Sequence, residues 1–245
     1  MMGMTITIEI SDTSFNPEIF KKAFDYFEYV ENKFSVYKDD SEISLINLGK
    51  IKESEYSDDM KVIFKLAEET KEITKGYFDI KNKNGKIDPS GIVKGWAIQS
   101  VAEILKNEGI KNFYVNAGGD IQTLGRNGEG KCWSVGIRNP FNPENEIVKV
   151  VYIENKGMAT SGTYIRGQHI YNPHKKDDLL DEIKSLTVIG PNIYEADRFA
   201  TPAFAMGKEG INFIESLDGF DAYMIDKNGV GTMTSNFNLY TKEYA

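Results

Sequence analysis

Asp197 and Thr201, in the stretch Ala196-Asp197-Arg198-Phe199-Ala200-Thr201, lie four residues apart and share one face of a helix. A carboxylate and a hydroxyl so placed form a hard-oxygen pair that suits a magnesium ion also holding substrate phosphates. The same spacing fits a surface aspartate beside a threonine bonded back to its own helix carbonyl. A second stretch, Asp88-Pro89-Ser90-Gly91-Ile92-Val93-Lys94-Gly95, opens a helix with aspartate as N-cap and proline at the first helical position. Unpaired N–H groups at such a start attract anions, Ser90 and Gly91 admit a ligand close to the backbone, and Lys94 reaches back toward a phosphate. Taken alone, the stretch is explained more simply by a plain Asp-Pro cap followed by a solvated lysine.

Two further clusters have the right composition. Asn116-Ala117-Gly118-Gly119-Asp120 ends a strand; its paired glycines make a tight turn or a close approach to a flat or phosphorylated ligand. Thr160-Ser161-Gly162 offers hydroxyls for phosphate or ribose. Downstream, His169 is one of only two histidines, and imidazole is the side chain that titrates near neutral pH. By contrast, Gly125-Arg126-Asn127-Gly128-Glu129-Gly130-Lys131 has the spacing of a phosphate-binding loop without its chemistry. Cys132 stands where a Ser or Thr should hold magnesium, and a strand follows where a helix is needed, so it reads as a glycine-rich turn.

The elements that must position these groups follow from periodicity. Residues 4–10 alternate as a strand, and residues 17–33 and 60–73 carry apolar positions at helical spacing. A helix runs from Asp88 to Gly109, then strands at 113–116, 133–137, 147–153 and 185–189. Helices at 194–206 and 211–217 precede a closing hairpin, 220–225 with 231–235. Strands and helices mix without a βαβ rhythm, which predicts an α+β fold over residues 1–245 as a single domain.

Composition narrows the function classes. The 245 residues can bury a sizeable core. A net charge of −8 without a basic patch argues against nucleic acid as partner. The lone Cys132 excludes an internal disulfide and reads as an inert thiol. No apolar run approaches the length of a membrane helix, and the N-terminus lacks a signal-peptide pattern, which predicts a cytoplasmic protein without a membrane span.

Taken in order, the motifs resemble one family closely, the FAD:protein FMN transferases of the ApbE type. The resemblance rests on Phe34-Ser35-Val36-Tyr37 with Ser41-Glu42-Ile43 and Asn47, on Gly76-Tyr77-Phe78-Asp79, and on the Asp88–Gly95 and Asn116–Asp120 stretches. Thr160-Ser161-Gly162, His169-Ile170-Tyr171-Asn172-Pro173 and Ala196-Asp197 through Thr201 complete it. The departures are Met2-Gly3-Met4-Thr5, one residue off the usual Met-Gly-Thr, Pro89-Ser90 in place of the commoner pair, and only nine positions from Asp79 to Asp88 where relatives carry a longer insertion.

The resemblance implies an ApbE-like domain of mixed and antiparallel sheets with packed helices. It implies magnesium-dependent transfer of FMN from FAD to a Thr or Ser hydroxyl of an acceptor flavoprotein or flavoprotein subunit, with release of AMP. Asp197, Thr201 and the carbonyl of Gly91 would hold Mg2+. Tyr37, Tyr77, Phe78, Asp79, Asp88, Lys94, Gly118, Gly119, Thr160 and Ser161 would contact FAD, the substrate. His169, Lys94 and Asp197 would act in catalysis, His169 as base. Two alternatives stay open at this level: an FAD pyrophosphatase giving FMN and AMP, and a non-catalytic FAD-binding module.

Overall fold

The computed structural model describes residues 3–82, 84–144, 146–162, 173–174 and 181–242. Its centre is a seven-stranded sheet in the order β1-β2-β3-β6-β7-β8-β9, every neighbouring pair antiparallel. The strands are β1 (Ile6–Ile10), β2 (Phe113–Ala117), β3 (Asp120–Leu124), β6 (Gly157–Gly162), β7 (Ile183–Gly190), β8 (Asp221–Asp226) and β9 (Gly231–Met233). β4 (Trp133–Arg138) and β5 (Ile147–Ile153) form a separate antiparallel pair. The helices are α1 (Glu18–Phe34), α2 (Glu42–Asn47), α3 (Asp58–Ile73), α4 (Ser90–Asn107), α5 (Ile193–Ala205) and α6 (Gly210–Glu215).

Burial divides the molecule into layers. The larger core packs α1 through α5 against the sheet, with Phe27, Ile43, Ile63, Ile98, Leu105, Phe113, Val188 and Phe204 in its interior. A smaller core on the β4–β5 side holds Ile121, Val135, Ile137, Val151, Ile153, Met158, Ile189 and Phe237. Ile121, Met158 and Ile189 come from central strands, so β3, β6 and β7 are covered on both sides. The α+β class expected from sequence is the class observed.

Several boundaries differ, each for a local reason. α4 begins at Ser90 with Pro89 as its N-cap, not at an Asp88 cap; Asp88 instead accepts the Ser90 N–H at 3.0 Å from one residue further out. α2 went unread because six residues give too short a period to detect. β3 and β6 did too: strands covered on both faces lose the alternation that marks a half-buried strand. Gly118 and Gly119 both have positive φ, 63° and 99°, and make the two-residue turn of the β2–β3 hairpin, the backbone that pairs of this kind favour. The glycine-rich stretch 125–131 is a turn leading into β4, as its letters predicted. No helix among the described residues is long and apolar enough to cross a membrane.

Candidate active site

The second turn of α4 and the first half of α5 meet at one point. Gly95 makes the meeting possible: a Cβ there would lie 2.6 Å from the Asp197 Cβ and 3.0 Å from the Ile193 carbonyl oxygen. The Gly95 N–H donates to Asp197 Oδ2 at 2.7 Å. In an α-helix that same N–H also points toward the carbonyl one turn earlier, that of Gly91, so Asp197 and the Gly91 oxygen both lie near it. Asn192 sets the start of α5 by accepting the Glu195 N–H at 2.9 Å, and Asp197 and Thr201 then fall on one face, as their spacing predicted.

Buried charge gathers around Asp197. Lys94 Nζ lies 3.5 Å from Asp197 Oδ1 and also forms a close ion pair with Asp120 Oδ2. Asp120 is held in turn by the Thr160 N–H, which donates to its Oδ1 at 3.1 Å across the point where β3 and β6 part. Two buried carboxylates therefore share one ammonium. Burial pushes the Asp197 carboxyl up to about 7, Lys94 opposes the rise and Asp120 adds to it. The Thr201 and Ser161 hydroxyls are 3.2 Å apart, and Thr160 Oγ1 lies 2.9 Å from Thr187 Oγ1.

A second wall comes from the segment after α3. The Phe78 N–H donates to Thr74 Oγ1 at 3.1 Å, and the buried Phe78 ring lies over Gly91, where a Cβ would sit 3.0 Å from it. Asp79 bonds Lys71 at 2.8 Å and accepts the Lys81 N–H, contacts that hold its carboxyl below the usual range against the pull of burial. The short link to Asp88 is a small hairpin, with Lys81 bridging Ile87 and the Asp88 N–H donating to the Ile80 carbonyl at 2.8 Å. Asn47 clamps it, its side-chain amide donating to the Ile87 carbonyl and accepting the Ile87 N–H, each at 2.8 Å. The Ser41–Asn47 motif thus places Asp88 from outside the cavity.

These walls enclose a cavity of about 710 Å³, a size in the range of small-molecule and cofactor sites. Tyr77, Phe78, Asp79, Asp88, Gly91, Lys94, Gly118, Gly119, Thr160, Ser161, Asp197 and Thr201 all line it. Tyr37 does not: it is 94% exposed in the turn after α1, so the phenol stands outside the wall that the motif order suggested it would join. His169 lies outside the described residues, as does Met2. The other histidine, His174, has Nε2 3.0 Å from the Lys75 carbonyl oxygen and its ring edge-on to Tyr77, next to Pro173 on the cavity wall. Sequence reasoning assigned no role to Asp120, although it ends a quoted motif, and none to Gly95 or Arg138. For Asp120 and Gly95 the decisive contacts join segments far apart in the chain, and no local pattern carries them.

The profile of the ApbE family matches residues 2–83 and 80–224 of this chain. The chain belongs to the ApbE family. Among curated relatives, the FAD:protein FMN transferase of Klebsiella pneumoniae is 33% identical over 156 residues, covering 60% of this chain and 45% of that protein. That of Escherichia coli is 33% identical over 151 residues, covering 58% and 43%. The alignments thus span less than half the length of these relatives. Among solved structures, the ApbE protein of Thermotoga maritima superposes with a TM-score of 0.85 at 21% identity, covering 98% of this chain and 97% of that one. A mutant of the flavin transferase ApbE from Vibrio cholerae gives 0.82 at 22%, covering 98% and 96%. At those identities the likeness establishes an ApbE fold.

Proposed function

We propose that this ApbE-family chain transfers FMN from FAD to a threonine or serine hydroxyl of an acceptor protein, with Mg2+, and releases AMP. The observation that carries the proposal is the convergence of Asp197, Thr201, Lys94 and the first turn of α4 on one cavity whose other walls are Tyr77, Phe78 and the β2–β3 glycine turn. The names of the curated relatives support the transfer of FMN from FAD to a protein.

The donor set fits magnesium. A carboxylate, a hydroxyl and a backbone carbonyl are all hard oxygens, and Gly91, Asp197 and Thr201 border the same space. Among the described residues there is no group of three or more His, Cys, Asp or Glu able to cage a metal. A site with few protein ligands is what an ion completed by substrate phosphates requires. When bound there, the ion would neutralise pyrophosphate charge and relieve the repulsion between buried Asp120 and Asp197.

The chain's own residues do the rest by position and charge, which is most of what phosphoryl-type transfer asks of a protein. The N–H groups at the start of α4 face the anion, and Lys94, fixed by Asp120, offsets charge on the pyrophosphate oxygens. The acceptor hydroxyl oxygen forms a bond to the FMN phosphorus while the bond from that phosphorus to the bridging oxygen breaks. AMP leaves with that oxygen. The hydroxyl proton passes to a base, the role the family resemblance implies for His169. Phe78 and Tyr77 supply apolar surface for the planar part of the nucleotide.

The test is AMP release from FAD, titrated with Mg2+, in the unchanged protein and in Asp197→Ala and Thr201→Ala, with a panel of flavoprotein acceptor domains present. Both variants should need far more Mg2+ and turn over at least tenfold more slowly. Unchanged rates in either would remove that residue from the metal site. AMP formed equally without any acceptor would make hydrolysis the reaction.

A further inference from the structure

The cavity is short of free positive charge. Among the described residues only Lys94 and Arg138 line it as cations, against Asp79, Asp88 and Asp197. Lys94 is already engaged by two carboxylates, Asp120 and Asp197. An FAD pyrophosphate brings two negative charges to this place, more than one shared ammonium can offset.

We infer that Arg138 binds a phosphate of the FAD pyrophosphate, an inference that rests on the flavin-nucleotide reading above. Arg138 ends β4, on the face that alternation leaves exposed with Ser134 and Gly136. Among the described residues its guanidinium has no hydrogen bond or ion pair. It lines the main cavity and also an adjoining cleft of about 490 Å³, whose walls share Asn116, Gly118, Gly119 and Thr160 with it. The guanidinium thus stands where the two spaces join, beside the glycine turn.

The local backbone is built to aim it. The β4–β5 register slips at this point, Ile137 facing Lys149 but Arg138 facing Ile147, so Val148 is an extra residue on β5. A bulge of this kind increases twist and re-aims the side chains beside it. Asn139 then fixes the strand end: its N–H donates to the Glu146 carbonyl at 2.9 Å and its Oδ1 accepts the Phe141 N–H at 3.0 Å. Gly136 lets Ile147 lie across β4 next to Arg138, since a Cβ at 136 would meet the Ile147 Cδ1 at 2.8 Å. A planar fork at this site can grip a phosphate with two parallel bonds, which an ammonium cannot reproduce.

The experiment is FAD binding, followed by flavin fluorescence, for the unchanged protein, Arg138→Ala and Arg138→Lys at about 20 and about 300 mM KCl. The Arg138→Ala dissociation constant should rise about tenfold or more at low salt, with Arg138→Lys in between, and the gap should narrow at high salt because an exposed contact is screened. Equal affinity in all three proteins, or a gap that salt leaves untouched, overturns the assignment. If the unchanged protein binds no FAD at either salt concentration, the flavin-nucleotide reading itself falls, a result distinct from an inert arginine.

Discussion

Gly95→Ala tests the contact on which the site is built. A methyl group there would sit 2.6 Å from the Asp197 Cβ, 2.9 Å from Asp197 Oδ2 and 3.0 Å from the Ile193 carbonyl oxygen. Carbon–carbon contacts are comfortable at roughly 3.5–4.0 Å, so α4 and α5 must separate by about 1 Å or Asp197 must leave its rotamer. Two terms oppose each other. Alanine gains about 1 kcal/mol over glycine in a helix interior. Overpacking costs about 1–3 kcal/mol, and losing the hydrogen bond from the Gly95 N–H to the buried Asp197 carboxylate costs about 1.5–3 kcal/mol more. The clash wins by about 1.5–5 kcal/mol. Urea unfolding should show the midpoint falling with an unchanged slope, and Mg2+-dependent AMP release should drop with it. An alanine variant as stable as the unchanged protein would refute the close approach of α4 and α5, and with it the placement of Asp197.

Three further outcomes are expected. In metal-free protein the Asp197 carboxyl is raised from 3.8 to about 7, so between those values the folded state holds a proton that the unfolded chain has released. Stability should therefore fall by a few kcal/mol as pH rises from about 4 through about 7, and Asp197→Asn should flatten that slope; parallel slopes in urea midpoints at pH 5 and 8 would contradict it. Asn47→Ala removes both bonds to Ile87 and should cost about 1–3 kcal/mol while weakening FAD binding through the displaced Asp88; calorimetry with and without FAD measures both. Gly157→Ala would place a Cβ 2.0 Å from the Ile193 nitrogen, backbone that cannot swing aside, and should cost more than about 4 kcal/mol, read as loss of soluble folded protein.

How far the sequence speaks for the site depends on the distance between partners. Asp197 and Thr201 share a helix face, and their adjacency is written in a spacing of four. Lys94 at the start of α4 is legible in the same way. That Lys94 meets Asp120 is not, because the pair joins a helix to a hairpin across the sheet and no local pattern encodes it. Gly95 reads as one more small residue until α5 lies against it. Periodicity likewise finds α1, α3 and α4, whose buried apolar positions recur at helical spacing, but misses β6, whose Gly-Met-Ala-Thr-Ser-Gly run is buried almost throughout. Tyr37 is the opposite case: motif order brings it to the pocket, whereas its side chain stands exposed in the turn after α1.

The central claim, FMN transfer at this cavity, is tested most directly by intact mass. Incubation with FAD, Mg2+ and the panel of acceptor domains should add to one acceptor the mass of FMN less one water, on a threonine or serine, with AMP appearing in equal amount. AMP accompanied by free FMN and no acceptor adduct, or no AMP at all from protein that binds FAD, would contradict it.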